Sequence, residues 1–179
     1  MQDYEIIERV QKGDGELFEL LVRKYEKRLF FLAWRMLHNR VDVEDAVQEI
    51  FVKAYKGLTR FRGDSQFSTW LYRIATNHIL NIIRKKSSNR LVERDIESES
   101  SSSTPRSSSR NTRLKKAVEA AIQSLPPRQQ AVFHMRYEEE RPHAEIAEIL
   151  GLSEGAVKAS YHHAVLKLRE SLKGFVDER

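Results

Sequence analysis

The amino-acid sequence predicts an all-α protein of two small helical domains joined by a flexible linker. Apolar residues recur at helical spacing along most of the 179-residue chain, and no stretch shows the convincing alternation of a β-strand. A serine-rich stretch, poor in large apolar residues, interrupts these helical segments at residues 87–110. We therefore predict a first domain over residues 1–86, a linker over 87–110, and a second domain over 111–179 that contains a helix-turn-helix.

Two helices are predicted to open the first domain. A short helix near residues 3–12 should end before Gly13, because glycine suits the left-handed position that follows a helix. Asp14 is then expected to cap a second helix that runs to about Leu37. The apolar residues of this helix form one stripe facing the core: Leu17, Leu21, Tyr25, Leu29, Leu32 and Met36.

The segment "VDVED" predicts the start of a third helix. Asp42 is expected to cap this helix, with Asp45 in the reciprocal capping position, and the helix should run to about Leu58. Its expected core residues are Val47, Ile50, Phe51, Ala54 and Tyr55. After the loop "TRFRGDSQF", Ser68 is expected to cap a fourth helix with the sequence "FSTWLYRIATNHILNIIRKK".

The second domain is predicted to contain further helices separated by proline and glycine. One begins near Asn111 and ends at Pro126, and Pro127 suits the first turn of the next helix. In "AEIAEILGLSEGAVKASYHHAVLKL", Gly151 fits a turn that needs a positive φ, and Ser153 offers an N-cap to the second of two helices. The apolar seam expected between these helices consists of Ile146, Ile149, Leu150, Val157, Tyr161 and Leu168. This pattern predicts a helix-turn-helix, whose second helix reads duplex DNA in the major groove.

The residues expected at the DNA lie in the first turns of that recognition helix. They are Ser153, Glu154, Gly155, Lys158 and Ala159, with Ser160 and His162 behind them. His162 and His163 do not indicate a metal site, since neighbouring residues on a helix diverge by about 100°. We therefore predict no metal and no cofactor.

Positive charge is concentrated in one part of the chain. The formal net charge is +5, whereas residues 60–90 alone hold seven Lys or Arg and one acid. This excess indicates a polyanionic partner, either nucleic acid or an anionic membrane surface. The chain has no cysteine, which excludes disulfides and thiol catalysis and is compatible with the cytoplasm. We find no apolar run long enough to cross a membrane, and the acidic N-terminus does not fit a signal peptide.

The polar face of the fourth helix suits single-stranded nucleic acid. An aromatic ring can stack on unpaired bases, amides can read their edges, and basic side chains can hold the backbone. These residues are Tyr72, Arg73, Asn77, Asn81, Arg84 and Lys85. The preceding loop could form the wall of a pocket for an extruded base, through Gly63, Asp64, Ser65 and Gln66.

Three segments together resemble the RNA polymerase sigma factors of the bacterial extracytoplasmic-function (ECF) type. The segment "VDVEDAVQEIFVKAYKGLTRF" resembles the core-polymerase-binding helix of that family, and "FSTWLYRIATNHILNIIRKK" its helix for the minus-ten promoter element. The segment "LPPRQQAVFHMRYEEERPHAEIAEILGLSEGAVK" resembles its minus-thirty-five domain. The resemblance covers nearly everything outside the linker, in the order the family has.

The resemblance implies roles for individual residues. Asp45, Gln48 and Glu49 match positions that bind the polymerase core, and their spacing places them on one helix face. Asn77 and the loop from Arg62 to Phe67 match positions that capture an unpaired base. Trp70 matches a core aromatic residue, and Lys158 a DNA-contacting residue.

The expected function is therefore promoter recognition and DNA opening as a subunit of RNA polymerase, without catalysis by the chain itself. The expected partners are the polymerase core, promoter DNA and an anti-sigma factor, with membrane contact only through the latter. The recognition helix departs from relatives at Ser160, His163 and Val165, where a basic residue is common. Two alternatives remain from the residues alone: a dimeric helix-turn-helix regulator and a helical RNA-binding or ribosome-associated factor.

Overall fold

The structure is a computed structural model that describes residues 2–93 and 110–176. Within these ranges all regular secondary structure is helical, which confirms the predicted all-α class. The first domain contains α1 (Asp3–Gln11), α2 (Phe18–Leu37), α3 (Arg40–Leu58) and α4 (Phe67–Glu93). The second domain contains α5 (Arg110–Gln123), α6 (Pro127–Phe133), α7 (His143–Leu150), α8 (Glu154–Ser171) and α9 (Lys173–Val176). A 3₁₀ turn precedes α2 at Gly15–Leu17, and a π-helical segment follows α6 at His134–Glu138.

Three predicted N-caps of the first domain are wrong. Helix α3 begins earlier than expected because Asn39, not Asp42, is its cap: the Asn39 side chain accepts from the backbone N–H of Asp42 at 3.1 Å. Asp42 and Asp45 therefore lie inside the helix. Asp14 makes no cap hydrogen bond and instead accepts from Arg9, and Ser68 lies within the first turn of α4.

Helix α4 is longer than predicted. It continues through residues 87–93, which the sequence had assigned to the linker. The hydroxyls of Ser87 and Ser88 accommodate this extension by donating to the carbonyls of Ile83 and Arg84, one turn back. The rest of the predicted linker, residues 94–109, lies outside the described residues.

The core of the first domain is formed by the predicted apolar stripes. Leu21, Leu29 and Ile50 are fully buried, as the helical spacing requires. Tyr55 is an exception, since it is 47% exposed on α3. Gly57 lets α3 approach α4 closely, because a Cβ there would lie 3.1 Å from the Trp70 ring. Trp70 itself packs against Phe61 and Phe67, at 5.1 and 5.6 Å between ring centres.

The helix-turn-helix has the predicted geometry. Gly151 ends α7 in the left-handed conformation, with φ of 64°, and Ser153 caps α8 by accepting from the N–H of Ala156 at 3.1 Å. Ile146, Ile149 and Val157 are buried between the helices, and Pro127 occupies the first turn of α6. None of the helices in the described ranges has the length and apolar content needed to span a bilayer.

The two domains pack against each other through α4 and α7. The hydrophobic core is continuous from Leu71 and Ile79 on α4 to Ile146 and Ile149 on α7. An ion pair at 3.2 Å between Arg35 of α2 and Glu138 adds a second connection. This packing determines which parts of the predicted site are open to a partner.

Candidate functional site

The acidic face of α3 is open to solvent. Asp45, Gln48 and Glu49 are all exposed and lie within one helical turn, beside the buried Ala46, Val47 and Ile50. Glu49 lies 3.8 Å from Lys53 and 3.4 Å from the ring of His78 on α4. No ion pair involves Asp45 within the described residues. The face can therefore offer one free and one locally held carboxylate to a basic partner.

The loop before α4 is also accessible. Arg62, Gly63 and Asp64 are exposed and Ser65 is half-buried. Gly63 has a φ of 78°, a conformation that glycine adopts without strain, and it begins the bend at residues 63–65. The loop is thus presented beside the start of the basic helix, as the sequence predicts.

The polar face of α4 is divided in two by the second domain. Arg73, Asn77, Asn81, Arg84 and Lys85 are exposed, whereas Tyr72 is fully buried. The sequence placed Tyr72 on the accessible face, and in this arrangement of the domains that placement is wrong. The ring lies in the hydrophobic core, about 140° around the helix from Asn77, and the guanidinium of Arg141 packs on it at 3.6 Å from its centre.

A cleft separates the exposed part of α4 from the second domain. It has a volume of about 760 Å³, and α4 contributes Asn77, Asn81 and Arg84 to one wall. Asn81 accepts a hydrogen bond from Arg84, which holds that amide along the helix surface. The opposite wall consists of Pro126, Pro127 and Arg128. The sequence analysis did not include Arg128, because nothing local connects it with a helix about fifty residues earlier.

The recognition helix is accessible at its N-terminal end. Glu154, Gly155, Lys158, Ala159 and His162 are exposed, as is the cap Ser153, while Ser160 is half-buried. Lys158 forms an ion pair with Glu154 at 2.7 Å, which lowers the pKa of the Glu154 carboxyl through the hydrogen bond and the opposite charge. Lys158 is therefore partly neutralised before it meets DNA.

His134 is a buried ionisable group that the sequence analysis did not assign. It is 3% exposed and lines a cavity of about 590 Å³ between the domains. Burial lowers the pKa of its imidazole, and Glu138, 3.4 Å away, opposes that shift only in part. Neither ring nitrogen has a hydrogen-bond partner within the described residues. The folded protein thus favours neutral His134.

We predict that His134 makes the fold sensitive to acid. In the unfolded chain a histidine has a pKa of about 6.5. Above that pH the His134 ring is neutral in both the folded and the unfolded protein, so its contribution to the free energy of unfolding is at its maximum. As the pH falls, the unfolded chain takes up the proton first, and the contribution is lost by the time the pH has passed the lower pKa of the folded state. The free energy of unfolding then falls by at most about 1.4 kcal/mol per pH unit. Urea unfolding of His134→Met at pH 7.5 and 5.5 should show a smaller pH difference than the wild type. His163→Met, at an exposed position, should leave the difference unchanged, and equal behaviour of the two variants would contradict the assignment.

Comparison with known proteins identifies both domains. The sigma-70 region 2 model matches residues 21–89, and the sigma-70 region 4 model matches residues 115–168. The chain is 31% identical to the RNA polymerase sigma-H factor of Pseudomonas aeruginosa, over 99% of this chain and 97% of that protein. It is 35% identical to the ECF RNA polymerase sigma-E factor of Escherichia coli K12, over 92% of this chain and 91% of that protein.

A solved structure has the same fold. The sigma factor RpoE of Bartonella quintana, solved in complex with the anti-sigma factor NepR, gives a TM-score of 0.68 at 21% identity. The match covers 90% of this chain and 98% of that one, and at this identity it bears on the fold alone. The relatives match over nearly their whole length. The chain therefore belongs to the ECF family of RNA polymerase sigma factors.

Proposed function

We propose that this chain acts as a dissociable subunit that brings RNA polymerase to promoters and opens the DNA there. The observation that carries the proposal is the order of its parts. One chain carries three surfaces in order: the exposed acidic face of α3, the basic and amide-bearing face of α4, and the accessible start of the recognition helix α8. We assign no catalytic activity to the chain itself.

We assign the polymerase contact to Asp45, Gln48 and Glu49. Their side chains are exposed beside a rigid, buried stripe, so that a basic partner surface can reach them without unfolding α3. Charged groups arranged in this way confer specificity and speed association. Since polymerase acts in the cytoplasm, we also propose a cytoplasmic location.

We assign capture of the unpaired minus-ten strand to α4 and its preceding loop. Asn77 and Asn81 present amides, and Arg73, Arg84 and Lys85 present positive charges along one exposed band of the helix. Arg62, Gly63, Asp64 and Ser65 are placed to border an extruded base. The minus-thirty-five duplex is assigned to the N-terminal turns of α8, and an anti-sigma factor is proposed as regulator by analogy with the complex above.

The test of this function is opening of a promoter by the holoenzyme. A promoter is first selected by the holoenzyme from a randomised DNA library, and permanganate then reports unpaired thymines. We expect reactive thymines at the minus-ten element only with both core and chain present. A chain that binds duplex promoter DNA as a symmetric dimer, without opening it in the presence of core, would favour the plain regulator.

Asn77→Ala should weaken this opening about tenfold, because a hydrogen bond to an unpaired base contributes roughly 1–2 kcal/mol. Binding of the second domain to a minus-thirty-five duplex should not change. Asn89→Ala is the matched control, since it removes an exposed amide farther along the same helix. If Asn77→Ala opened DNA normally but failed on the duplex, our assignment of the two domains would be reversed.

A further inference from the structure

Three polar side chains of α3 and α4 form a cluster at the edge of the acidic face. Nζ of Lys53 lies 2.5 Å from Nδ1 of His78, and Nε2 of the same ring lies 3.4 Å from Oε2 of Glu49. The Lys53 ammonium is also 3.8 Å from that Oε2. We call Glu49, Lys53 and His78 the α3–α4 cluster. It connects a residue assigned above to polymerase binding with a ring on the next helix.

The chemistry of the α3–α4 cluster determines which nitrogen of His78 carries the proton. A lysine ammonium can only donate hydrogen bonds, whereas a neutral imidazole has one donor nitrogen and one acceptor nitrogen. Because Lys53 meets Nδ1, that nitrogen must accept, and the proton of the neutral ring must lie on Nε2, on the side of Glu49. An imidazolium carries a proton on both nitrogens and could not accept from Lys53.

The α3–α4 cluster has two consequences for the Glu49 carboxylate. Among the described residues, both of its ion-pair contacts are made by Oε2, so that Oε1 remains available on a side chain that is 63% exposed. Lys53 follows Glu49 by four residues, a spacing at which glutamate and lysine readily pair on a helix. At 3.8 Å, however, the two groups are too far apart for a hydrogen bond. The His78 ring thus accepts the hydrogen bond that Lys53 would otherwise give to Glu49.

His78 is held in place more firmly than the lysine that it binds. Its side chain is 10% exposed, whereas that of Lys53 is 49% exposed. Burial lowers the pKa of the imidazole, as does the charge of Lys53, while the Glu49 carboxylate raises it to a smaller extent. Lys85, two turns farther along α4, lowers this pKa as well. The neutral ring that can accept from Lys53 is therefore the favoured form at pH 7.5.

We propose that His78 is a positioning residue for polymerase binding, which keeps the Lys53 ammonium from closing on Glu49 and leaves that carboxylate available to core. The inference rests on the proposed function, in which Glu49 meets a basic surface of the polymerase. If Lys53 closed on Glu49, core would have to break that surface pair, and binding would weaken about two- to fivefold. Protonation of His78 weakens binding in the same way, because an imidazolium repels Lys53 and places a second positive charge beside Glu49.

Substitutions of His78 test the proposal through binding of the full chain to immobilised core. His78→Leu removes the acceptor and should weaken binding about two- to fivefold at pH 7.5. His78→Gln keeps an acceptor oxygen on its side chain and should restore binding toward that of the wild type. In a Lys53→Gln background, His78→Leu should cause no further loss, since no ammonium remains to close on Glu49. A loss that came only from disturbed packing would persist in that background.

The pH dependence of core binding gives a second reading. Between pH 7.5 and 5.5, wild-type binding should weaken more than binding by His78→Gln, by at most about tenfold, because one histidine is linked to one proton. His163→Gln, at an exposed position of α8, is the matched control and should keep the wild-type pH dependence. Nitrogen NMR of histidine-labelled protein at pH 7.5 should show the Nε2–H tautomer for His78, whose signals are identified by their absence from His78→Gln.

Four results would overturn the proposal. Equal binding of core by His78→Leu and the wild type would show that His78 does not affect Glu49, and a loss that persists in the Lys53→Gln background would show that it acts only through packing. The same pH dependence in His78→Gln and the wild type, or a proton on Nδ1, would contradict the assigned tautomer and its effect. If the variant with Asp45→Lys and Glu49→Lys binds core normally, the proposed function fails instead, so the two failures can be distinguished.

Discussion

Replacing Asp45 and Glu49 by lysine is expected to abolish binding to core RNA polymerase while leaving the fold intact. Both carboxylates are exposed on one face of α3, next to fully buried neighbours such as Ile50. Losing one partner of a desolvated charge pair costs about 2–5 kcal/mol, or roughly 30- to 5,000-fold in affinity per contact. Reversing the charge adds repulsion from the basic partner surface.

The measurement is binding of immobilised core to the double variant, with circular dichroism to verify its helix content. Among the described residues, the change removes the contacts of the exposed Glu49 carboxylate with Lys53 and with the largely buried ring of His78, and pairs at the surface contribute about 0–1 kcal/mol. Glu19→Lys with Glu26→Lys makes the same charge change on α2 and should bind core normally. Unchanged binding by the Asp45 and Glu49 variant, at normal helicity, would remove the assignment.

The second large effect is expected when duplex promoter binding is compared with and without core. The recognition helix has little free positive charge. Lys158 is paired with Glu154 at 2.7 Å, and Lys167 donates to the carbonyl of Ser124 at 2.9 Å. Few counterions can then be released on binding, so the free protein should bind no more tightly than about 10⁻⁶ M at physiological salt.

Core should raise the affinity for duplex promoter DNA, because it fixes the distance between the two DNA-reading domains. Two weak readers held at the spacing of their sites gain on the order of 10²- to 10⁴-fold in affinity. Fluorescence anisotropy on a selected promoter duplex should show this gain, and the gain should disappear when the spacing between the two elements is changed by five base pairs. Tight, sequence-specific binding by the free chain would contradict the tethering argument and favour a plain DNA-binding regulator.

The helices and the helix-turn-helix could be predicted because their signals are local. Buried residues such as Ile146 and Val157 recur every three to four positions along their helices, which a sequence shows directly. The turn between the two helices is equally local, because it depends on the left-handed backbone of Gly151 and on the capping hydroxyl of Ser153. The same logic failed at the start of α3. Asn39 and Asp42 are both good caps, and the choice between them depends on how the chain leaves α2, where His38 adopts a left-handed conformation.

The packing of Arg141 on Tyr72 could not be predicted, because it joins residues about seventy positions apart. The sequence analysis placed Tyr72 on the polar face of α4, whereas its ring lies in the hydrophobic core and also contacts Arg141 of the second domain. Arg141 carries no local signal of this role, since an arginine before a proline is ordinary in a loop. Tyr55 shows the converse: it lies next to the buried stripe of α3, and its large ring nevertheless remains 47% exposed.

The measurement that tests the central claim most directly is transcription by purified core from a randomised DNA library, with and without this chain, followed by sequencing of transcript 5′ ends. The account predicts that the chain directs initiation to templates sharing two short elements at one fixed spacing, upstream of a common start. The same reaction with the Asp45 and Glu49 variant should give the pattern of core alone. Transcript ends that are the same with and without the chain would contradict the account.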